Sequence, residues 1–362
     1  MRIVCLNQDA GIGPARKKGA AVHLAAMRAA FAALGAEVVP LDESDDARVE
    51  RGLDAALTGG GIDLVYERYA LGKDAAARFC RARGVPLALE VNAPLADEES
   101  RYRARDRGSS GVADPATAER DRGLFGASEL VIAVSSSVGR YAIERGARAE
   151  RVHVRPNGVD TELFRPRRSG DPVRARLVPD GRFALGFHGR LRPWHGFDLF
   201  ARAAQRLLAA GASIQLVLVG EGEFEAHLEG RVPTERVTRI PWVEHAEIGP
   251  YVASFDALPL TYDPGAPFYF SPLKLAEAMA CGVVPVLPRL GDLVTAATDE
   301  VDALFYDAGD IDALEAKLRG LIVEPARRAR LAAGALDNAR RKSWIEIAAF
   351  VLASTVGRTS RS

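Results

Sequence analysis

The 362-residue sequence is poor in cysteine, methionine and tryptophan, with 3 of each. Cys5, Cys80 and Cys281 are odd in number, far apart and without the paired spacing of zinc ligands, which argues against a disulfide framework or a structural metal and fits a reducing cytoplasm. No run approaches the ~20 consecutive apolar residues of a membrane span, and the start, MRIVCLNQDAG, lacks an apolar h-region with a cleavage site. The expectation is a soluble, cytoplasmic protein with at most peripheral membrane contact. An excess of charge is missing too: Lys plus Arg and Asp plus Glu number 48 each. That balance removes any general attraction to nucleic acid or anionic lipid, so an anion site must be local. The sequence leaves the oligomeric state open.

The length favours two domains over one core. Short β-type runs alternate with helical patterns: RIVCL, then Leu24, Met27, Phe31 and Leu34 at helical spacing closed by Gly35, then EVVPL. The rhythm continues through DLVYER, PLALEV, ELVIAVS and RVHVRPNGVD, with helices near 73–83, 115–124 and from about 137. Pro, Gly and charge interrupt it at 158–181, and it restarts with FALGF, a helix at 197–210, IQLVLVG, VTRI, DALPL, a helix at 272–280 and VVPVL, with further helices near 222–230, 246–254 and 311–320. This is an α/β chain of two facing, Rossmann-like, doubly wound parallel sheets with a cleft between them. The expected domains are 1–165 and 166–343, with Gly158 and the linker as hinge and the apolar helix after 343 packing back on the first domain. In such sheets ligands sit beyond the carboxyl ends of strands, where helix N-termini favour anions.

Four turns carry chemistry. In LGFHGRLRPWHGFD, Gly189 and Gly196 permit close backbone approach, Arg190 offers a donor fork matching phosphate oxygens, and His195 offers a second donor. The same residues also read as two exposed turn side chains. In FYFSPLKLAEAMACG, Ser271 followed by Pro272 predicts an N-cap with Pro at the first helical position. Lys274 and Glu277 then share one helical face, with Leu273, Ala276 and Ala280 able to pack inward. The pair reads either as a phosphate-binding ammonium beside a sugar-binding carboxylate or as an ordinary i,i+3 ion pair. Gly220-Glu221-Gly222 is another strand-to-helix turn. Gly11, Gly13 and Gly19, with Lys17 and Lys18, form a basic glycine-rich loop after the first strand, and His23 follows one turn into its helix; both also read as solvated or structural. Two decoys fall away. The SxxK spacing of Ser271 and Lys274 lacks the partner motifs of an acyl-transfer serine. Asp310-Ile-Asp312 opens a polar helix, where Asp is most simply a cap rather than a metal ligand.

Seven segments in order, KKGAAVHLAAMRAAFAALG, VYERYALG, PLALEVNAPLADE, VRPNGVDTELFRP, HGRLRPWHGFDLFARA, LVGEG and SPLKLAEAMACGVVPV, resemble the GT-B glycosyltransferases of family 4 over nearly the whole chain. The resemblance implies a retaining, metal-independent hexosyltransferase that needs no cofactor and uses a nucleotide-diphosphate sugar, UDP-sugar favoured, with an acceptor the sequence does not identify. Lipid-linked glycans, polysaccharide ends and secondary-metabolite aglycones are all candidates. By resemblance Arg190 is the diphosphate-binding arginine, His195 stands where many members have Lys, and Glu277 is the second Glu of the E-x7-E motif, on the ribose hydroxyls. Tyr269 replaces the first Glu. The donor side would comprise Gly189, Gly220, Gly222, Val243, Tyr269, Ser271, Pro272, Leu273, Lys274 and Glu277, and the acceptor side Gly13, Lys18, Gly19, Arg68, Glu90 and Asn92. Arg190, His195, Glu277 and His23 would be the catalytic set. Two other readings of the same fold are a nucleotide-sugar epimerase or hydrolase, and a catalytically silent nucleotide-sugar-binding protein.

Overall fold

A computed structural model describes residues 1–12, 19–100, 114–167 and 170–359. Its contacts fall into two compact units: unit 1 is Met1–Asn157 with Tyr269–Ser271 and Trp344–Ser362, and unit 2 is Gly158–Phe268 with Pro272–Ser343.

Unit 1 is a six-stranded parallel sheet of β1 (Arg2–Asn7), β2 (Glu37–Asp42), β3 (Leu64–Arg68), β4 (Leu87–Val91), β5 (Leu130–Ala133) and β6 (Val152–Val154). The order is β2-β1-β3-β4-β5-β6, the signature of a doubly wound sheet. The central strands are apolar almost throughout because helices cover both faces. On one face Val4, Leu6, Val65, Leu89 and Val131 pack with Leu53 of α2 (Asp46–Thr58), Phe79 of α3 (Ala75–Arg83), Phe125 of α4 (Pro115–Ala127) and Tyr141 of α5 (Ser136–Glu144). On the other, Phe31 of α1 (Gly19–Ala33) meets Tyr66 edge-on with ring centroids 5.1 Å apart. The final helix of the chain, Trp344–Thr359, lies against α1.

Unit 2 repeats the architecture with β7 (Phe183–His188), β8 (Ile214–Val219), β9 (Val237–Ile240), β10 (Ala257–Pro259), β11 (Val284–Pro288) and β12 (Leu304–Tyr306), ordered β12-β11-β10-β7-β8-β9. Its helices include α6 (Pro172–Leu177), α7 (Phe197–Ala209), α8 (Leu273–Ala280), α9 (Ile311–Val323) and α10 (Pro325–Arg340); the chain-terminal helix is therefore α11. Phe197, Phe200 and Leu207 of α7 are buried against Leu185, Leu216 and Leu218, the i, i+3 and i+10 positions forming one stripe.

Several local expectations change. α2 is absent from the sequence reading; Asp45 caps it by accepting the Arg48 N–H at 3.0 Å, and Val49, Leu53 and Ala56 form its buried stripe. The helix expected near 246–254 is a 3-10 turn, His245–Glu247, followed by one short helical turn, Gly249–Val252. The stretch 158–181 is not all linker: it contains α6, whose N-cap Asp171 accepts from Val173 N–H at 2.8 Å. Leu34, assigned to the periodic face of α1, is exposed. Asp310 caps α9 by accepting from Asp312 and Ala313 N–H groups at 2.9 and 3.0 Å. No helix among the described residues is long and apolar enough to cross a membrane.

Candidate functional site

In unit 2 the ends of β7 and β8 continue their pairing into the turns beyond them. Gly189 N–H donates to Val219 O and Leu191 N–H to Glu221 O, both at 2.8 Å. This back-to-back approach requires glycine at 220, where φ is +127° and a Cβ would lie 2.2 Å from the Gly189 carbonyl oxygen. Arg190 is thereby set opposite Glu221, with Nη2 donating to Oε2 at 2.6 Å, and its guanidinium lies 5.9 Å from the Trp242 ring centre. Both partners of that ion pair are nearly half exposed, at 46% and 48%, so the pair contributes little stability, of the order of 0–1 kcal/mol. An incoming anion can take Arg190 from Glu221 at small cost.

His195 is built differently from Arg190. Its Nδ1 accepts the Arg192 N–H at 3.0 Å, leaving Nε2 to carry the single proton of a neutral ring. Burial, with Lys274 and Arg192 nearby, pushes its pKa down to about 2. Of the two forms in which His195 could act as a donor, this environment favours the neutral ring with one N–H. The positive charge sits on Lys274 instead. Its ammonium lies 5.4 Å from the Phe187 ring centre, and its Cε and Nζ flank Gly189. Burial holds Lys274 down at about 8 despite the Glu277 charge, and it forms no ion pair among the described residues.

Glu277 is not the i,i+3 partner of Lys274 that one reading of the sequence offered. Its Oε2 accepts from His188 Nε2–H at 2.7 Å and its Oε1 from His245 Nε2–H at 3.0 Å. Burial raises the carboxyl's pKa, but those donors outweigh it and hold it at about 2, so Glu277 is a carboxylate. His188 and His245 were missed by sequence reasoning. His188 was signalled by its place at the carboxyl end of β7; nothing local links His245 to a residue 32 positions away.

The start of α8 also departs from expectation. Ser271 is not its N-cap: Pro272 holds that position without a side-chain cap, and the Ser271 hydroxyl accepts the Asn157 N–H at 2.9 Å within unit 1. Leu273 and Ala276 are half-buried, and Leu275, Ala278 and Met279 form the inward face with Ala280. Gly222 continues the turn after β8, and Val243, half-buried, follows the turn after β9. Tyr269 belongs to unit 1, where Ser135 Oγ–H donates to its carbonyl oxygen at 2.5 Å and its own hydroxyl donates to Glu98.

In unit 1 a second polar cluster sits at the carboxyl ends of β3 and β4. His23 Nε2 meets the Glu90 carboxylate, Asn92 Nδ2 lies 3.4 Å from His23 Nδ1, and the Trp344 ring stands 4.5 Å from the imidazole. Burial raises the Glu90 carboxyl, but His23, Arg68 and the Tyr66 hydroxyl together bring it below its usual range. Asn92 Oδ1 and Arg68 Nη1 are buried without a hydrogen-bond partner among the described residues. Gly19 opens α1, while Gly13 and Lys18 lie outside the described residues.

Two doubly wound six-stranded parallel sheets, each with polar chemistry at the carboxyl ends of its strands, give the protein the α/β GT-B fold. Residues 1–158 match the glycosyl transferase 4-like domain and residues 182–324 the glycosyl transferases group 1. The chain is 32% identical over 309 residues to D-inositol 3-phosphate glycosyltransferase 1 of Catenulispora acidiphila, covering 79% of this chain and 70% of that one. It is also 32% identical over 316 residues to the D-inositol 3-phosphate glycosyltransferase of Thermomonospora curvata, covering 80% and 70%. Among solved structures, sucrose-phosphate synthase from Thermosynechococcus elongatus superposes with a TM-score of 0.73 at 15% identity over the whole of both chains. Anabaena HepE in complex with UDP superposes at 0.72 with 20% identity over 99% of this chain and all of that one. The chain belongs to the group 1, or family 4, glycosyltransferases, and it is a glycosyltransferase enzyme.

Proposed function

We propose that the enzyme moves a hexosyl group, with retention and without a metal ion, from a nucleotide-diphosphate sugar, UDP-sugar favoured, to a hydroxyl acceptor. The observation that carries this reading is the Lys274 ammonium beside Gly189, which forms no ion pair among the described residues, with Arg190 loosely held on the same turn. As the anomeric C–O bond breaks, negative charge grows on the leaving diphosphate. Arg190 and Lys274 meet that charge, and His195 Nε2–H and the backbone N–H groups add neutral donors, so electrostatic stabilisation is the main protein contribution. The departing phosphate takes the acceptor proton on the same face. Protein cations fill the role a divalent ion would otherwise have. Glu277 holds the ribose hydroxyls.

The preference for UDP is supported by HepE, whose structures contain UDP and UDP-glucose. The acceptor side is the unit 1 cluster of His23, Arg68, Glu90 and Asn92, with Gly13, Lys18 and Gly19. Its amide oxygen and guanidinium nitrogen, without a hydrogen-bond partner among the described residues, suit a polyhydroxylated acceptor, and the relatives named for D-inositol 3-phosphate make a phosphorylated cyclitol the first to try. The test is a transfer assay with UDP-sugars on Arg190→Ala and Lys274→Met, with and without chelator. Each variant is expected to lose roughly 100-fold or more in kcat, the scale of removing one transition-state donor, and chelator to change nothing. Near-wild-type turnover in both variants, or activity abolished by chelator and restored by magnesium, overturns the reading.

A further inference from the structure

Glu277 is gripped more elaborately than a buried carboxylate requires. Lys274, three residues back on the same helix, feels the Glu277 charge but forms no ion pair with it among the described residues. Instead two imidazoles from separate elements take one oxygen each: His188, the last residue of β7, and His245, in the 3-10 turn after β9. Both are backed by rings. His188 lies 6.2 Å from the Phe255 ring, whose atoms fill the place where a side chain at Gly186 would begin, 2.1 Å from its ideal Cβ. His245 lies 5.3 Å from Phe164. The turn after His245 is seated by Gly249, where a Cβ would meet the Leu163 carbonyl oxygen at 2.2 Å. The His188 Nδ1 is buried with no partner among the described residues, so the proton of its neutral ring is committed to Glu277.

A carboxylate can accept about four hydrogen bonds, two at each oxygen. One N–H on each oxygen restrains the plane of the group and leaves acceptor capacity on each oxygen for the hydroxyls of a ribose. We propose that His188 and His245 are positioning residues that hold Glu277 as an oriented carboxylate, making the donor site select a ribonucleotide over its 2′-deoxy counterpart. The proposal rests on the assignment of Glu277 to the ribose.

The experiment measures, by titration calorimetry on the full chain, the affinities for UDP and for 2′-deoxyuridine 5′-diphosphate. Wild type is expected to prefer UDP by roughly 10- to 100-fold, the worth of one hydrogen bond to a charged group. His245→Leu and His188→Leu remove a donor and are expected to bring that ratio to within a few-fold of one, chiefly by weakening UDP. His245→Gln, whose amide N–H reaches a similar place, restores it. A merely structural role would weaken both ligands together and leave the ratio intact, and that result in folded His245→Leu overturns the proposal even where His188→Leu does not fold. Glu277→Ala separates the two failures. If it binds UDP as wild type does, the ribose assignment is wrong; if it loses the ratio while the histidine variants keep it, only the positioning role is wrong.

Discussion

Lys274 makes nucleotide binding sensitive to pH in a direction its environment dictates. Burial holds its pKa at about 8 in the free protein, whereas a bound diphosphate would favour the charged form and raise it. Binding therefore takes up a proton between about pH 8 and the raised pKa of the complex. The affinity for UDP is full below that pH and falls as pH rises toward the pKa of the complex, by up to tenfold per unit. Calorimetric titrations at pH 9 in two buffers of different ionisation enthalpy would show proton uptake close to one per nucleotide, and Lys274→Met would abolish it. An affinity flat from pH 7 to pH 9.5 would remove Lys274 from the phosphate site. His195 adds no such dependence, because its pKa of about 2 lies far below the range.

At the scale of elements, the turn from β7 into α7 rests on Gly196, with φ +57° and an ideal Cβ 2.0 Å from the Thr261 carbonyl oxygen. The same loop returns a hydrogen bond, Thr261 Oγ1–H to His195 O at 2.9 Å, so the backbone at 196 has nowhere to move without shifting His195. Gly196→Ala is expected to cost more than the ~1–2 kcal/mol of a left-handed non-glycine residue and to weaken UDP binding together with stability. Gly211→Ala, at φ +81° with open space around it, isolates the conformational part alone. Denaturant unfolding of the two variants checks this, and equal losses would dismiss the close approach. The strands were legible because parallel strands covered on both faces read as unbroken apolar runs, RIVCL and LVLV among them. α7 was legible through Phe197, Phe200 and Leu207. α2 was not, since its buried stripe of Val49, Leu53 and Ala56 is interleaved with charges at Asp46, Arg48, Glu50, Arg51 and Asp54. Arg190 stands on the turn after β7, and Lys274 and Glu277 on α8, at places whose chemistry a sequence displays. The partners of Glu277 come from two other elements, and which of Lys274, His188 and His245 would pair with it is decided by tertiary placement alone. The same holds for Ser271, drawn from a cap into a bond with Asn157.

For the whole molecule, two sheets with separate buried clusters predict two calorimetric unfolding transitions, each reporting one unit. Each can be marked from within. In unit 1, burial raises the Glu67 carboxyl to about 8 against the Gln8 amide that donates to it at 2.5 Å. Folded Glu67 thus keeps its proton to about pH 8 while the unfolded chain releases it near 4.5, so this residue lowers stability progressively as pH rises through that window and costs nothing below it. Glu67→Gln keeps the oxygen that Gln8 uses and removes the titration. It is expected to raise one transition at pH 8, by an amount of the order of a few kcal/mol, and to leave it unchanged at pH 4.5. UDP at 100 times its dissociation constant adds roughly 2.7 kcal/mol to whatever unit binds it, and with Arg190, Lys274 and Glu277 all in unit 2 it should move the other transition. A scan of wild type and Glu67→Gln, each with and without UDP at pH 8, yields four traces. Independent shifts of two peaks would assign nucleotide binding to unit 2 in the folded protein. A single peak moved by both perturbations would show that the units unfold as one, and UDP moving the peak marked by Glu67→Gln would place the donor in unit 1 and overturn the site.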